Sequence, residues 1–214
     1  AGLIHRGKSS NVGEELQSML QALKHRGPDS TGYALYANND GQNFILRFKV
    51  GENVGEGSTS VNEDESVYDE RKKIVDKKLS ELGAPIMKEE KLTPYSYRYE
   101  IQYGKDLMWF SEAIESIESV EILSIGKSLE LIKDLGDATA VSDRYGLNKV
   151  QGTHAIGHAR MATESGVDIK SAHPFWGYPF SDVSVVHNGQ LTNYWNNRRL
   201  LENKGMRFMS ECDS

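Results

Sequence analysis

The sequence predicts an α+β protein in which antiparallel strands and amphipathic helices occupy separate segments. Residues 153–160 and 182–188 alternate apolar and polar side chains, which is typical of half-buried strands. Residues 11–24 instead carry apolar side chains at helical spacing. An Asn-Asp-Gly turn separates residues 31–37 from residues 44–50 and predicts that these two segments form an antiparallel pair.

The first elements are a short strand and a helix. Residues 2–5 are mostly apolar and predict a strand. In the helix, Asn11 and Glu14 resemble a capping box, and Gly27-Pro28 ends the helical pattern. The apolar stripe of this helix consists of Leu16, Met19, Leu20 and Leu23. The glycine-rich residues 51–60 predict a loop.

The middle of the chain predicts a second α+β unit. Its elements are a helix at 64–82 with an apolar stripe of Ile74, Leu79 and Leu82, strands at 84–89 and 95–103, a helix at 105–116 and a strand at 120–125. With the strand at 44–50 they give the order β-α-β-β-α-β of a ferredoxin-like unit. Residues 129–145 predict one or two short helices. The alternating Tyr95, Tyr97, Tyr99 and Tyr103 favour packing on one strand face over a partner surface.

The last predicted elements are a helix at 191–203, whose apolar side carries Leu191, Tyr194, Trp195 and Leu201, and a strand that begins at 207–209. Gly205 suits a left-handed helix cap. That strand leads into Asp213, and we expect further core strands, from a longer native chain or a partner, after Ser214. Residues 1–214 alone would then form an incomplete core of low stability.

Composition excludes several classes of protein. The net charge is −6, with acidic and basic residues interspersed, which argues against a nucleic-acid-binding surface. No run of eighteen apolar residues predicts a transmembrane helix. Cys212 is the single cysteine, so no internal disulfide can form, which fits a cytoplasmic protein.

Polar groups that suit a site concentrate between Gly157 and Gly189. Arg160 and Asn188 each end a predicted strand, and His173-Pro174 lies between them. Polar side chains at strand ends are well placed to build a site. Asn188-Gly189 could equally be a type I′ hairpin turn, and His173-Pro174 could be a plain turn.

Six motifs occur in the order of a known family. The chain begins AGLIHRG and then carries HRGPDSTG, GHARMAT, AHPF, VVHNG and SECDS. In this it resembles a class II glutamine amidotransferase domain of the glutamate synthase type or its stand-alone subunit relatives. The resemblance implies a four-layer αββα sandwich, the N-terminal-nucleophile hydrolase fold. It divides the chain into a core at 1–50, an inserted α+β subdomain at 51–145 and the rest of the core at 146–214.

The resemblance also implies the roles of the site residues. Residue 1 is the nucleophile position, its α-amine is the base, and Arg26 lies near it. Asn188 and Gly189 donate hydrogen bonds to the oxyanion. The substrate-binding residues are Arg160 for the glutamine carboxylate, Asp213 for its ammonium group, and Thr163 and His173 along the pocket.

Ala1 departs from the family, which has Cys at this position. Alanine offers no nucleophilic atom, so the chain as written is expected to be inactive. Three explanations remain open: an engineered Cys→Ala change, which the intact binding motifs favour; a natural non-catalytic glutamine-binding or scaffold subunit; and a difference in sequence or processing.

The resemblance implies L-glutamine as substrate and a synthase domain or subunit that accepts ammonia, in a hetero-oligomer. It implies no cofactor in this chain, whereas such partners carry flavin (FMN) and iron–sulfur centres. We expect no metal, because His154 and His158 lie on a predicted strand rather than a helix. Cys212 is expected to be an inert thiol.

Overall fold

A computed structural model describes residues 1–27, 29–39, 41–52, 63–160, 169–206 and 208, without the side chain of Arg26. The helices are α1 (Val12–Ala22), α2 (Glu65–Leu82), α3 (Leu107–Glu115), α4 (Ala138–Tyr145) and α5 (Tyr194–Glu202). The strands are β1 (Gly2–Ile4), β2 (Ser30–Ala37), β3 (Phe44–Lys49), β4 (Ile86–Thr93), β5 (Ser96–Ile101), β6 (Glu121–Gly126), β7 (Leu129–Leu135), β8 (Gly152–Arg160), β9 (Phe175–Trp176) and β10 (Ser184–Val185). Short 3₁₀ turns lie at Lys24–Arg26, Leu147–Lys149 and Ile169–Ser171.

The strands form two four-stranded antiparallel sheets and a small third one. The first sheet has the order β1-β8-β2-β7, the second has the order β4-β5-β3-β6, and β9 pairs with β10. Mixed helix and antiparallel sheet confirm the predicted α+β class. None of the helices in the described part of the chain is long and apolar enough to cross a membrane.

Two sequence predictions, which concern strands β2, β3 and β7, are wrong. Strands β2 and β3 do not pair, because both edges of β2 are occupied by β7 and β8 while β3 joins β5 and β6. Residues 129–135 are a strand rather than a helix, since seven residues of β7 pair with β2. Only α4, the second half of the segment, is helical.

The middle of the chain has the predicted element order, with β3-α2-β4-β5-α3-β6 forming the second sheet and its helices. Tyr95, Tyr97 and Tyr99 are buried in the apolar core that this sheet shares with α2 and α3. The packing interpretation is therefore confirmed for these three tyrosines, whereas Tyr103 lies beyond the end of β5 and is partly buried against the same core. In α2, Leu79 and Leu82 are buried, whereas Ile74 is exposed.

The first sheet is covered on one face by α1 and α4. Their apolar side chains pack on Tyr33, Leu35 and Ile132 in a single buried cluster. In α1 the buried face includes Leu16 and Leu20, whereas Met19 and Leu23 are partly exposed. The predicted cap is present, because the Asn11 side chain accepts a hydrogen bond from the Glu14 amide.

The opposite face of the first sheet contacts the second sheet. Ala34, Leu129 and Leu131 pack there against Leu123 of β6. The apolar end of this face is thus buried between the sheets. Its other end carries polar side chains and forms the candidate site.

The C-terminal elements are more exposed than expected. Helix α5 has no buried residue among those described, and Leu191, Trp195 and Leu201 are exposed. Its predicted apolar side is therefore uncovered in the described part of the chain. Gly205 has the expected left-handed backbone, with φ of 85°. The predicted strand at 182–188 shortens to β10, and the one at 207–209 falls largely outside the described residues.

Candidate active site

The site begins with a row of residues across three neighbouring strands. Gly32 on β2 lies directly opposite Lys133 on β7 and His158 on β8. Residues directly opposite one another in antiparallel strands project from the same face, so Lys133 and His158 flank Gly32. Arg160 lies two residues beyond His158 and therefore shares this face.

The amino group of Ala1 is held against β8. It donates a hydrogen bond of 2.9 Å to the Gly157 carbonyl, and the Gly157 amide donates one of 2.9 Å to the Ala1 carbonyl. Partial burial lowers the pKa of this amine. Because Gly157 directly precedes His158 on β8, the amine lies next to this histidine. Burial first and then the amine's positive charge lower the pKa of the His158 imidazole.

Residues 169–176, here called the strap, lie across the row. A Cβ atom on Gly32 would lie 2.0 Å from the carbonyl oxygen of His173, so only glycine allows the strap to approach β2 this closely. The peptide bond between His173 and Pro174 is cis, and β9 follows at once.

The imidazole of His173 is the most strongly perturbed histidine of the site. It is 7 % exposed, and its ring centroid lies 5.1 Å from that of His158 and 4.6 Å from that of Phe175. Burial, followed by the charges of His158, His187, Lys133 and Arg160, lowers the pKa of His173 to about 4. The ring is therefore neutral near pH 7, and its buried Nε2 has no hydrogen-bond partner among the described residues.

Arg160 ends β8 and is half-buried. Its backbone carbonyl accepts a hydrogen bond from the Asp29 amide, which fixes the end of the strand. One guanidinium nitrogen, Nη1, is buried and has no partner within the part of the chain that the structure describes. A guanidinium with an unused donor suits a carboxylate ligand, which it can bind with two parallel hydrogen bonds.

Asn188 and Gly189 follow β10 and are exposed. Neither has a positive φ, whereas a type I′ turn needs positive φ at both central residues. The hairpin-turn alternative is therefore wrong. A Cβ on Gly189 would lie 3.1 Å from His187 Nε2, and His187 in turn acts electrostatically on His173. The Asn188 segment thus approaches the site through His187.

Some predicted site residues lie outside the described residues. Thr163 and Asp213 are among them, and only the backbone of Arg26 is described. The structure brings together Ala1, Arg160 and His173. No group of three or more His, Cys, Asp or Glu side chains that could hold a metal occurs among the described residues.

Sequence reasoning missed Lys133 and His187 and weighed His158 only as a metal ligand. His158 could have been found, since it lies two residues before Arg160 on an alternating strand and must share its face. Lys133 gave no such signal, because residues 129–145 were predicted to be helical. His154, on the same strand, stacks on Tyr36 with a ring separation of 3.9 Å.

These features define a site of a particular kind. At the polar end of an antiparallel sheet it gathers a partly buried amine, a neutral imidazole and a guanidinium with an unused donor. Such a set can bind an anionic group and exchange protons near pH 7.

Comparisons with known proteins place this chain in a family. A protein of Methanothermobacter thermautotrophicus assigned as a glutamine amidotransferase is 37 % identical over 223 residues, which cover 100 % of this chain and 68 % of that protein. The glutamine amidotransferase-like protein GlxB of Rhizobium meliloti is 32 % identical over 203 residues, covering 95 % of this chain and 61 % of that protein. The chloroplastic amidophosphoribosyltransferase 1 of Arabidopsis thaliana is 36 % identical over 89 residues, covering 41 % of this chain and 16 % of that protein. No family model matches.

The chain belongs to the class II glutamine amidotransferase family. It spans about two thirds of the length of the first two relatives.

Proposed function

We propose that this chain is a glutaminase domain that hydrolyses the side-chain amide of glutamine to glutamate and ammonia. The observation that carries the proposal is the hydrogen bond between the Ala1 amine and Gly157, which holds residue 1 beside His158 on the strand that ends in Arg160. The family's nucleophile position and the family's carboxylate-binding arginine therefore lie on one strand pair.

The proposed reaction needs a thiol at residue 1. The α-amine, whose pKa is lowered by burial, accepts the thiol proton while sulfur attacks the amide carbon. The resulting oxyanion accepts hydrogen bonds from the Asn188 side-chain amide and the Gly189 backbone. The amine then returns this proton to the amide nitrogen, which leaves as ammonia, and water hydrolyses the thioester to glutamate and the free thiol.

The same proposal assigns the substrate contacts. Arg160 binds the α-carboxylate of glutamine through its unused donor. Asp213 pairs with the ammonium group, and Thr163 and His173 line the pocket. Arg26 lies near residue 1. The neutral His173 adds no competing charge beside the Arg160–carboxylate pair.

We further propose a four-layer αββα sandwich with a ferredoxin-like insert, divided at residues 50 and 145. The helices that cover the first sheet and the helices that share a core with the second support the layered arrangement. The strand order β4-β5-β3-β6, with all neighbours antiparallel, supports the ferredoxin-like unit.

Ammonia would pass to a synthase domain or subunit in a hetero-oligomer, and any FMN or iron–sulfur centre would belong to that partner. A non-catalytic glutamine-binding or scaffold subunit is the second candidate, and Ala1 is the observation that favours it. An engineered Cys→Ala change reconciles Ala1 with an active parent enzyme. The codon for residue 1 in the native gene decides between these origins.

The test restores the nucleophile. Ala1→Cys, with residue 1 as a free N-terminus and with the partner present, should release glutamate from glutamine. Adding Asn188→Ala should lower kcat by about 10²–10³-fold, the usual cost of one oxyanion donor. A folded, processed Ala1→Cys protein without glutaminase activity would make the second candidate the better one.

A binding measurement separates the two candidates further. The Ala1 chain should bind glutamine in calorimetry, and Arg160→Ala should weaken binding by about 1.5–3 kcal/mol, the contribution of a hydrogen bond to a charged group. Arg6→Ala, at an exposed arginine, is the control and should leave affinity unchanged. Equal affinity of the Arg160 variant and the unmodified chain would remove Arg160 from the site.

A further inference from the structure

Lys133 is a buried lysine that contacts the strap at two points. Only 4 % of the surface of Lys133 is exposed. Its ammonium group donates a hydrogen bond of 3.2 Å to the Lys170 carbonyl and lies 5.2 Å from the centre of the Phe175 ring. These contacts lie on either side of His173 in the chain, so one side chain holds the strap both before and after the histidine.

Glu121 fixes Lys133 from the second sheet. Its Oε1 lies 3.0 Å from the lysine ammonium, and both side chains are close to fully buried. The other oxygen of Glu121, Oε2, has no hydrogen-bond partner in the described part of the chain. A buried lysine needs such a counter-charge to stay protonated.

The strand register explains why Lys133 acts on His173. Lys133 and His158 flank Gly32, and the His173 carbonyl lies directly over that glycine. The strap is therefore laid across the row, with a lysine on one side of it and a histidine on the other.

The groups that face His173 carry positive charge or can acquire it. They are His158 and Arg160 from β8, Lys133 from β7 and His187 from the segment after β10, with the Ala1 amine next to His158. A proton on His173 would add a further positive charge to this group, which Coulomb repulsion in a buried site disfavours.

We propose that Lys133, held by Glu121, is a positioning residue for His173. It anchors the strap at Lys170 and Phe175, and it keeps the imidazole uncharged over Gly32 and beside His158. Its anchoring of the strap is independent of the proposed function. Its effect on turnover rests on the proposed function, through the assigned role of His173 in the glutamine pocket.

The first test needs no catalytic activity. The titration of the His173 ring protons is followed by NMR in the Ala1 chain and in Lys133→Met. The variant should raise the pKa of His173 from about 4 by about one pH unit, because a neighbouring charge is removed. Lys133→Arg, which keeps the charge, should restore the low value.

Lys49→Met is the matched control. Lys49 is also fully buried, and its ammonium donates a 2.8 Å hydrogen bond to the Lys133 carbonyl rather than to the strap. The control should leave the pKa of His173 where it is. If Lys133→Met does not fold, Lys133→Gln replaces it, since glutamine can still donate to the Lys170 carbonyl without carrying charge. An unchanged pKa of His173 in a folded, uncharged Lys133 variant overturns the proposal.

The second test uses kinetics in the Ala1→Cys background. Lys133→Met should lower kcat/KM about tenfold, because the strap that carries His173 loses its anchor. Lys133→Arg should restore kcat/KM. If Ala1→Cys itself is inactive, the proposed function fails and NMR alone decides the role of Lys133. If Ala1→Cys is active but Lys133→Met changes neither kcat/KM nor the pKa of His173, only the positioning role is wrong.

Discussion

At the scale of single residues, the site favours uncharged forms of two groups that could carry protons. Burial lowers the pKa of the Ala1 amine, and burial with neighbouring positive charge lowers that of His173 to about 4. The site therefore places two groups that favour the uncharged form near a guanidinium whose Nη1 has no hydrogen-bond partner among the described residues.

The pKa of His173 predicts how stability depends on pH. Because its folded value of about 4 lies below its ordinary value of 6.5, the unfolded chain binds the proton first as pH falls. Stability that is fully present above about pH 6.5 is lost progressively down to about pH 4, by at most about 3 kcal/mol. His173→Gln should remove this part of the pH dependence in urea unfolding measured from about pH 7 to about pH 5.

His25→Gln is the control for that experiment. His25 is exposed on the turn after α1, so its replacement should leave the pH dependence as it is in the unmodified chain. A His173→Gln variant with the same pH dependence as His25→Gln would show that His173 titrates normally.

At the scale of residues, the sequence indicates which side chains share a face of a strand when apolar and polar residues alternate along it. Arg160 and His158 could be assigned to one face of β8 because strand periodicity is two. Lys133 could not be assigned, since its burial depends on Glu121, twelve residues earlier and in the other sheet. A lysine in a charged segment is usually exposed, and nothing local indicates otherwise.

At the scale of elements, the contact between β2 and the strap depends on a single missing side chain. The His173 carbonyl occupies the space that a Cβ on Gly32 would need, at a distance of 2.0 Å. The obstructing group is backbone and is further fixed by Lys133, so it cannot move aside as a side-chain tip could.

Gly32→Ala should therefore destabilise the fold by about 1–3 kcal/mol, the usual cost of overpacking, and displace the strap. Chemical denaturation measures the loss of stability, and the His173 ring signals report the displacement. Gly104→Ala is the matched control, because a Cβ there meets no atom within 4 Å. Equal stability of the two variants would mean that the strap does not rest on β2.

Most element types were predictable, but several pairings were not. Helix α1 was found from its apolar spacing and its Asn11 cap, and α2 was found from its apolar stripe, because both signals are local. The partners of β2 were not found. The turn after β2 suggested pairing with β3, whereas the strands that pair with β2 lie about a hundred residues away. Strand pairing of this kind is decided by tertiary contacts that a single sequence does not display.

At the scale of the whole molecule, a buried ion cluster joins the two large sheets. Glu130 of β7 accepts hydrogen bonds from Arg47 of β3 and from Arg98 of β5, the latter with a distance of 2.9 Å from Nε. Burial alone would raise the pKa of Glu130, but the two guanidinium groups overcome this and lower it to about 2. Stability from this carboxylate is present above its ordinary pKa and is lost as pH falls towards 2.

Glu130→Gln should cost about 3–5 kcal/mol of unfolding free energy, because it removes the buried carboxylate charge that pairs with both Arg47 and Arg98. Glu81→Gln is the control, since Glu81 belongs to an exposed pair with Lys77 and should change stability by less than about 1 kcal/mol. Thermal unfolding of both variants at neutral pH is the measurement. A cost for Glu130→Gln no larger than that of the control would show that the cluster does not hold the sheets together.

The carboxylate of Asp182 anchors the segment that leads to Asn188. It accepts hydrogen bonds from the amides of Lys127, Ser128 and Leu129 and from the Ser128 hydroxyl, which ties the segment before β10 to the turn between β6 and β7. Asn188 lies six residues further on, a reach of at most about 20 Å for an extended chain. A displacement of Asn188 can therefore pivot only within these six residues, because the start of the segment is held to the turn between β6 and β7.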